Sequence, residues 1–477
     1  MKYSIVSFKN VLTDNEIFRY DADYFHPNAL KVLSIMKSKK YCLIEKAFDV
    51  TKLAGFEYTE YFTQENMAST DNYIALTSKN IQNEELNLQE YITIDKLIAD
   101  GNLKRSKLQK GDVILSYTGE YRRALTLFED NYQLGPNICL IRNKDLGLKS
   151  TYLSTFLNSR LGQVILDKEK TLSAQPTVAM SRIRKIPIPL VSESFQNVID
   201  KCIKLKYFNI ENSKKTYKQA EELLSKEFNL SNWQPKYKLY SIKKYSDVKN
   251  VNRFDAEYFQ PKYDEIIEKI KSYPGGWDYI RSLFNQNKKS FVLDKDTKYN
   301  YVEIGSVNTS NGEITPEIIS GRDLPANAKI KLFNGDILIS KVRTYRGAVA
   351  IIESSDYIGS GAFAVLQEKT ETIINKETLY TFLKLKPILD LTLKYNTGTS
   401  YPTITDEDVL NMPIPKFNQD IQSVIKKNVQ ECKKMQLQSK QLLEIAKRGV
   451  EMAIEENEDI ATEWINEQLL KLGINLN

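Results

Sequence analysis

The chain has 477 residues, 42% of them apolar and 27% charged, a composition typical of a globular protein with at least two domains. Its formal net charge of +6 is too mild to indicate nucleic-acid binding by itself. Because no run of eighteen apolar residues occurs and the first residues lack the apolar stretch of a signal peptide, we expect a cytoplasmic protein without membrane contact.

Four sequence blocks occur twice in the same order, which indicates an internal duplication. They are residues 18–27 with 252–261, 73–78 with 301–306, 110–116 with 334–340, and 175–189 with 401–415. The offsets between partners are 234, 228, 224 and 226 and so are nearly constant, which indicates that the chain consists of two copies of one unit.

Each copy begins with short β-branched runs separated by glycine, asparagine and aspartate, which predict strands of a mixed α/β domain. The runs are residues 112–116, 138–142, 336–340, 347–352 and 362–366. Apolar residues at helical spacing predict a helix over 151–165 in the first copy and over 376–393 in the second.

A Pro-Ile-Pro block and a long polar helix end each copy. Proline forces the preceding residue out of the α region, so residues 187–189 and 413–415 are predicted to separate each domain from its helix. The apolar stripes are Ile199, Ile203, Tyr207, Ile210, Tyr217, Ala220 and Leu224, then Ile425, Val429, Cys432, Gln436, Leu443, Ala446 and Val450. Such narrow stripes favour two helices that pair as a coiled coil and hold the domains apart; the alternative is that each helix packs on its own domain.

No catalytic constellation is found. The single histidine, His26, corresponds to Gln260 in the second copy and is interpreted as structural. Motifs for phosphate loops, serine hydrolases, zinc deaminases and amino-methyltransferases are absent from the sequence, and the four cysteines form no CxxC pair. We therefore expect reduced thiols, no metal site and no cofactor in this chain.

Two stretches of each copy combine basic, aromatic and polar side chains, as DNA contacts require. Those after the Gly-Asp strand are Tyr117, Tyr121, Arg122 and Arg123, then Lys341, Arg343, Tyr345 and Arg346. Those before Pro-Ile-Pro are Ser173 and Gln175, then Ser400 and Tyr401. Arginine and lysine neutralise phosphates, and arginine and glutamine can read guanine and adenine in the major groove. The alternative is that both stretches are solvated structural loops.

Comparison of the copies suggests roles for these residues. An offset of 224 aligns Tyr121-Arg122 with Tyr345-Arg346, and we predict that these shared residues contact the DNA backbone. Positions that differ are predicted to read bases: Gly119 against Arg343, Arg123 against Gly347, and Gln175 against Tyr401.

The opening block of each copy contains an Arg-x-Asp pattern. Arg19 with Asp21, and Arg253 with Asp255, are predicted to form local ion pairs that fix the start of each domain; a surface for docking partners is the alternative.

Two divergent domains, each ending in Gln/Tyr-Pro-Thr, Pro-Ile-Pro and a long helix, resemble the specificity subunit of type I restriction-modification systems. The block Arg-x-Asp-Ala-Glu-Tyr-Phe-x-Pro at 253–261 is also similar to that family. The resemblance implies target-recognition domains at 1–190 and 233–416, and two antiparallel spacer helices, one at 191–232 and one within 417–477. A helical segment that precedes the first domain in some relatives is not seen, so partner contacts are expected on the two helices.

The resemblance implies that each domain reads half of a bipartite site in double-stranded DNA. It further implies two modification subunits, which bind S-adenosylmethionine and methylate adenine, with restriction subunits as an additional expected partner. Two alternatives stay open from the sequence: the recognition subunit of a type IIB-like enzyme, and a two-domain scaffold that binds only proteins.

Overall fold

The computed structural model describes residues 5–7, 9, 11, 19, 21–82, 84–119, 122–171, 174–231, 233–240, 242–396 and 401–475. They belong to two compact units, residues 1–210 with 436–477, and residues 211–435. Within the described ranges, no helix is both long enough and apolar enough to cross a membrane.

In the first unit, two four-stranded sheets form the α/β domain. One has the order Phe48–Lys52, Ile138–Asn143, Val113–Ser116, Ala124–Thr126, and the other Ile92–Asp95, Asn72–Leu76, Tyr132–Leu134, Lys107–Leu108. Only the pair Asn72–Leu76 and Tyr132–Leu134 is parallel among these strands. Short hairpin strands Ile81–Gln82 and Glu85–Leu86 complete the described sheets, together with the pair treated below.

The second unit repeats this topology, which confirms the duplication. Its sheets have the orders Phe284–Gln286, Phe363–Glu368, Ile337–Ser340, Val349–Ile351, and Glu317–Ser320, Lys298–Val302, Tyr357–Ser360, Ala328–Lys331. The strand pair Lys298–Val302 and Tyr357–Ser360 is again parallel. All of the predicted strand runs coincide with strands.

Five helices of each domain correspond, and the first domain has three further helices among the described residues, Gly55–Tyr61, Gln64–Met67 and Lys96–Asp100. In the first unit they are Pro27–Ser38, Ile44–Ala47, Gly55–Tyr61, Gln64–Met67, Lys96–Asp100, Ser150–Asn158, Arg160–Glu169 and Met180–Arg184. In the second they are Tyr245–Val251, Pro261–Lys271, Ile280–Leu283, Lys376–Lys384, Lys386–Leu391 and Asp406–Leu410. The helix predicted at 151–165 is broken at Ser159, whose hydroxyl caps the next helix, and the one at 376–393 is broken before Pro387.

The Pro-Ile-Pro blocks are buried strands that close each domain. Pro187–Pro189 pairs antiparallel with Tyr41–Leu43, and Pro413–Pro415 pairs with Trp277–Tyr279. Proline is tolerated here because a two-stranded ladder has an open edge that needs no backbone donor. Each block therefore ties the end of a domain to its beginning and fixes the point from which the following helix leaves.

Two long helices follow these blocks, as predicted. The central helix is Glu193–Glu227 and the C-terminal helix is Gln419–Glu455, followed by the shorter helix Glu458–Lys471. In the first unit, residues 193–210 of the central helix share a core with residues 436–455 of the C-terminal helix. In the second unit the opposite halves share a core, so the two helices pair antiparallel.

Within each unit, the half-helices pack on each other and also on the domain, so helix pairing and the alternative packing occur together. Ile199 and Ile203 share a cluster with Phe156, and Tyr217 lies 5.7 Å from Tyr380 between ring centroids. The buried face of the long helices is wider than the predicted apolar stripe, because polar residues such as Asn209 are buried as well. The spacer positions Ile199, Ile203, Tyr217, Ile425 and Val429 are buried, whereas Leu443 is half-buried beside the fully buried Leu442.

The histidine and the cysteines have structural positions. His26 caps the helix Pro27–Ser38, because its Nδ1 accepts a hydrogen bond from the Asn28 amide at 3.2 Å. Cys139 and Cys202 are buried, and burial raises the pKa of each thiol to about 12. Such thiols are poor nucleophiles at neutral pH.

Replacing Ile425 with alanine tests the shared core of the second unit. Ile425 is fully buried between the two helices and the domain, so Ile425→Ala should destabilise this unit by about 2–5 kcal/mol. Val424→Ala is the control, since Val424 is 47% exposed and should change stability little. Urea unfolding monitored by circular dichroism measures both; equal effects of the two variants would contradict the shared core.

Candidate nucleic-acid interface

In the first unit, the fold brings the two predicted DNA-contacting stretches together. The first stretch follows the buried strand Val113–Ser116, and the second precedes the closing Pro-Ile-Pro strand. Thr118 and Thr177 form an isolated antiparallel bridge, and the Val178 amide donates to the Tyr117 carbonyl at 2.9 Å. Residues almost sixty positions apart in sequence thus form one surface.

The second unit has the same bridge. Val342 pairs antiparallel with Thr403, and the Ile404 amide donates to the Lys341 carbonyl at 2.9 Å. One further bond is specific to this unit: the Arg343 amide donates to the Pro402 carbonyl at 2.8 Å. Both domains therefore present two adjoining loops at equivalent places.

The predicted ion pairs at the start of each domain are confirmed. The Arg19 guanidinium binds Asp21 in bidentate fashion at 2.5 and 2.6 Å, and Arg253 binds Asp255 at 2.6 and 2.9 Å. These arginines hold the pKa of Asp21 and of Asp255 below the usual value of 3.8. Each pair is also a fixed cap, because a carboxylate oxygen accepts a backbone amide three residues later.

The same arginines hold the backbone just before the second loop. Arg19 donates to the Lys170 carbonyl at 2.6 Å, and Arg253 donates to the Lys394 carbonyl at 3.3 Å. The opening block of each copy therefore anchors one end of the predicted interface, a contact that the sequence pattern did not reveal.

The loop between the strands differs in length between the copies, which corrects the predicted alignment. Leu115 pairs with Ala124 in the first unit, whereas Ile339 pairs with Val349 in the second. The offset is 224 before the loop and 225 after it, because the second loop is one residue longer. This register pairs Arg122 with Gly347 and Arg123 with Ala348, so the predicted equivalences of Arg122 with Arg346 and of Arg123 with Gly347 are wrong. Tyr121 lies outside the described residues.

The corrected alignment pairs residues of left-handed backbone conformation. Gly119 has a φ of 77° and its partner Arg343 one of 49°; Arg122 has a φ of 79° and its partner Gly347 one of 83°. Each copy thus keeps one glycine and one arginine in this conformation, at opposite ends of the loop. A left-handed arginine costs on the order of 1–2 kcal/mol, and such strain is concentrated at functional sites.

The arginines of the first loop are held by the protein itself. Arg122 forms an ion pair with Asp167, and the Arg122 carbonyl accepts a hydrogen bond from Nε2 of the Gln163 side chain at 2.8 Å. The Arg123 guanidinium donates to the Ile81 carbonyl at 2.9 Å. These contacts give both side chains a part in fixing the loop, and a phosphate contact would compete with them.

Gln175 and Tyr117 occupy different environments in the first unit. Gln175 is exposed, and its amide nitrogen lies 3.8 Å from the place that a Cβ on Gly119 would occupy. Tyr117 is half-buried against the core of the domain, and this burial raises the pKa of its hydroxyl. The predicted contacts Tyr121 and Ser173 lie outside the described residues.

In the second unit, Arg343 stacks on an exposed aromatic ring. Its guanidinium carbon lies 4.7 Å from the centroid of Tyr401, which is 64% exposed. Within the part of the chain that the structure describes, the Arg343 guanidinium has no hydrogen bond or ion pair. The ring therefore supports the guanidinium plane while its N–H donors stay available.

The other predicted residues of the second interface lie around this stack. Arg346 is exposed and has no ion pair with any described residue, whereas Lys341 is paired with Asp406 at 3.1 Å. Tyr345 is half-buried, and Ser400 lies outside the described residues. This surface can offer a stacked arginine for base edges and a second, free arginine for phosphates.

The family model described as "Type I restriction modification DNA specificity domain" matches residues 280–447. These residues belong to that family. The match begins inside the second domain and ends in the C-terminal helix, and the first unit has the same sheet topology. The resemblance seen in the sequence is thereby confirmed, and the second specificity domain is a DNA sequence-recognition module.

Three solved structures are similar to this chain at low identity. The S subunit of the type I restriction-modification system from M. genitalium is 12% identical with a TM-score of 0.38, over 92% of this chain and 96% of that one. The HsdS subunit from Thermoanaerobacter tengcongensis is 14% identical with a TM-score of 0.29, and the match covers 88% of this chain and 97% of that one. A structure titled for complex assembly and conformational transition of the type I R-M system is 14% identical with a TM-score of 0.28. The match covers 90% of this chain and 97% of that one. No curated protein sequence matches the chain.

The ion pair of the second specificity domain predicts a pH dependence. The lowered pKa of Asp255 adds stability that is present above the ordinary pKa and is lost as the pH falls through the lowered one. Asp255→Asn should therefore lower the melting temperature near neutral pH and have a vanishing effect in acid. Asp323→Asn is the control, since Asp323 is exposed and has no ion pair with a described residue. A pH-independent difference between wild type and Asp255→Asn would contradict this role.

Proposed function

We propose that the chain is the non-catalytic recognition subunit of a type I restriction-modification complex, in which each specificity domain reads one half of a bipartite DNA site. One observation carries the proposal: both units join the same two loops at the same place, yet display different side chains there. Gly119 and Gln175 stand in the first unit where Arg343 and Tyr401 stand in the second. A common frame with different polar groups suits the reading of two different half-sites.

Guanine is the base that the second surface suits best. A guanidinium fork can bind the O6 and N7 of guanine with two parallel hydrogen bonds, and the Tyr401 ring stiffens the Arg343 fork. In the first unit, the exposed amide of Gln175 is the group that can pair with adenine. Arg343 has a left-handed backbone conformation, which is concentrated at functional sites, and this agrees with the role.

The helices supply a distance that agrees with a gapped site. At 1.5 Å per residue, the 35 residues of the central helix extend about 52 Å. Half-sites one turn of DNA apart lie about 34–36 Å from centre to centre. A helix of this length can span several base pairs that are not read.

Catalysis is assigned to partners. We expect two modification subunits to bring S-adenosylmethionine and the methyl-transfer site, and restriction subunits to join them. The exposed faces of the long helices are the surfaces on which we expect these partners.

Mapping of methylated bases tests the bipartite reading. The chain is co-expressed with the modification subunit of its system, and methylated adenines are mapped across the host genome. We expect two short motifs separated by a fixed gap, and replacement of residues 1–190 by the domain of a relative should change only one of them. Methylation without a gapped motif, or by the purified chain alone, would contradict the proposal.

Two arginines of the second loop should act differently. Arg343→Ala should relax one position of one half-motif, losing about 1–3 kcal/mol of discrimination between bases. Arg346→Ala should keep the motif but weaken binding to all sequences, lowering the slope of log K against log salt by about 0.9. Gln175→Ala should relax the other half-motif.

Arg322→Ala is the matched control, since Arg322 is exposed in the same domain and is paired with Asp296 at 2.6 Å. Methylation maps and salt titrations of DNA binding report on all four variants. Identical effects of Arg343→Ala and Arg346→Ala would contradict the separation into base and phosphate contacts.

A further inference from the structure

A buried lysine lies behind the loop that carries Arg343 and Arg346. Lys384 is the last residue of the helix Lys376–Lys384 and is only 7% exposed. Its Nζ donates to the Thr309 carbonyl at 2.7 Å and lies 3.4 Å from the Gly347 carbonyl. Among the described residues, Lys384 forms no ion pair. Main-chain carbonyls, and not a carboxylate, therefore hold this buried cation.

Gly347 is one end of the loop that Arg343 begins. The short helix Thr344–Arg346 lies between these two residues, both of which have a left-handed backbone. The Arg346 amide donates to the Arg343 carbonyl, and the Gly347 amide donates to the Thr344 carbonyl, both at 2.9 Å. Because these bonds overlap along the loop, a shift of Gly347 would also move the backbone of Arg343.

Gly347 packs closely against the residues that surround Lys384. A Cβ at Gly347 would lie 3.2 Å from the Leu389 side chain and 3.4 Å from the Thr309 carbonyl oxygen. The Gly347 backbone thus rests on the helix Lys386–Leu391 and on the turn at 308–313. Lys384 connects the two, since it belongs to the preceding helix and binds the Thr309 carbonyl.

In the first unit, a neutral amide occupies the place of this lysine. The offset of 226 that aligns the helices relates Lys384 to Asn158. The Asn158 side chain accepts from the Ala124 amide at 2.9 Å and donates to the Ala124 carbonyl at 2.7 Å, at the first residue after the loop. It also donates to Glu84 at 2.9 Å, and the Glu84 carboxylate lies 3.2 Å from Nζ of Lys447.

A second amide of the first unit holds the end of its loop. Gln163 Nε2 donates to the Arg122 carbonyl at 2.8 Å and to the Leu157 carbonyl at 2.7 Å. Arg122 is the partner of Gly347 in the corrected alignment, so both units hold the carbonyl of the same left-handed residue from behind. The first unit does so with neutral groups, whereas the second uses a cation.

The cation of the second unit costs stability. Burial lowers the pKa of Lys384 to about 8, an effect that the charge of Lys433 increases and the charge of Glu221 opposes. Since the ordinary value is 10.5, the unfolded chain binds this proton more strongly than the folded chain does. The stability therefore rises between pH 8 and 10.5, and the full cost is present near neutral pH.

We propose that Lys384 is the positioning residue for base readout in the second specificity domain, the part that Asn158 and Gln163 have in the first. This inference rests on the proposed function. Lys384 holds the Gly347 end of the loop, while the Pro402 carbonyl holds the Arg343 amide at the other end. A guanidinium fork distinguishes guanine only while both N–H groups stay aligned with O6 and N7, which requires support to within about 0.5 Å.

Lys384→Met in the full-length chain tests the proposal, because methionine keeps an apolar side chain but has no donor. With the modification subunit, the base preference at the position that Arg343→Ala relaxes should fall by about threefold to tenfold, part of what Arg343→Ala removes. The slope of log K against log salt should not change, because no phosphate contact is lost. The melting temperature near pH 7 should not fall, because a buried cation is removed.

Two further variants make the test specific to one domain. Gln163→Leu gives the first unit the residue of the second copy, Leu389, and should relax only the half-motif that depends on residues 1–190. Lys386→Met is the matched control, since Lys386 is exposed and is paired with Asp390 at 2.8 Å. It should leave both half-motifs unchanged.

An unchanged methylation motif in Lys384→Met would overturn the proposal, as would relaxation of the half-motif that the first domain reads. A lower melting temperature with an unchanged motif would assign Lys384 to folding alone. If Lys384→Met does not fold, the same criteria apply to Lys384→Gln, which keeps an N–H donor without the charge. A wild-type chain without a gapped motif contradicts the proposed function itself, whereas a gapped motif that these variants leave intact contradicts only the role of Lys384.

Discussion

The shared cores of half-helix and domain are the constraint on which the rest of this protein depends. Residues 193–210 and 436–455 are buried with the first domain, and residues 211–227 and 419–435 with the second. Neither long helix is a free spacer, because each contributes to the core of both units. The Pro-Ile-Pro strands are paired with strands at the start of each domain, and they therefore fix the point at which the following helix begins. The loops of the proposed interface can change in sequence without disturbing this frame.

The loops differ between the two copies, although the scaffold around them is the same. Two left-handed residues bound each loop, and one of them is an arginine in each copy, but at opposite ends. In the first unit Arg122 forms an ion pair with Asp167, and in the second Arg343 stacks on the exposed Tyr401 ring. A duplicated scaffold has thus placed the same side chain in two environments, one structural and one suited to a base edge.

Much of the fold could be predicted from the sequence, because the spacing of apolar residues and the repeated blocks indicate which faces of the helices and strands are buried. The repeated blocks and the apolar stripes predicted the two copies and the long helices, β-branched runs predicted the strands, and the Arg-x-Asp pattern predicted the ion pairs. The burial of Pro-Ile-Pro was missed because proline marks a strand edge as readily as a break. The one-residue difference between the loops was invisible because the Tyr-Arg match imposed a false register. Glu84 and Lys447 are 363 residues apart, and only tertiary packing reveals that they form a pair.

Site-directed cleavage of DNA tests the central claim, that one chain reads two half-sites with equivalent loops. Cysteine is introduced at position 175 or 343 in a chain carrying Cys42→Ser, since the other cysteines are buried, and an iron chelate is attached to it. With the modification subunits and a duplex containing the methylated motif, the two chains should cut in different halves of the site. Cleavage in the same half from both positions, or at random positions along the duplex, would contradict the account.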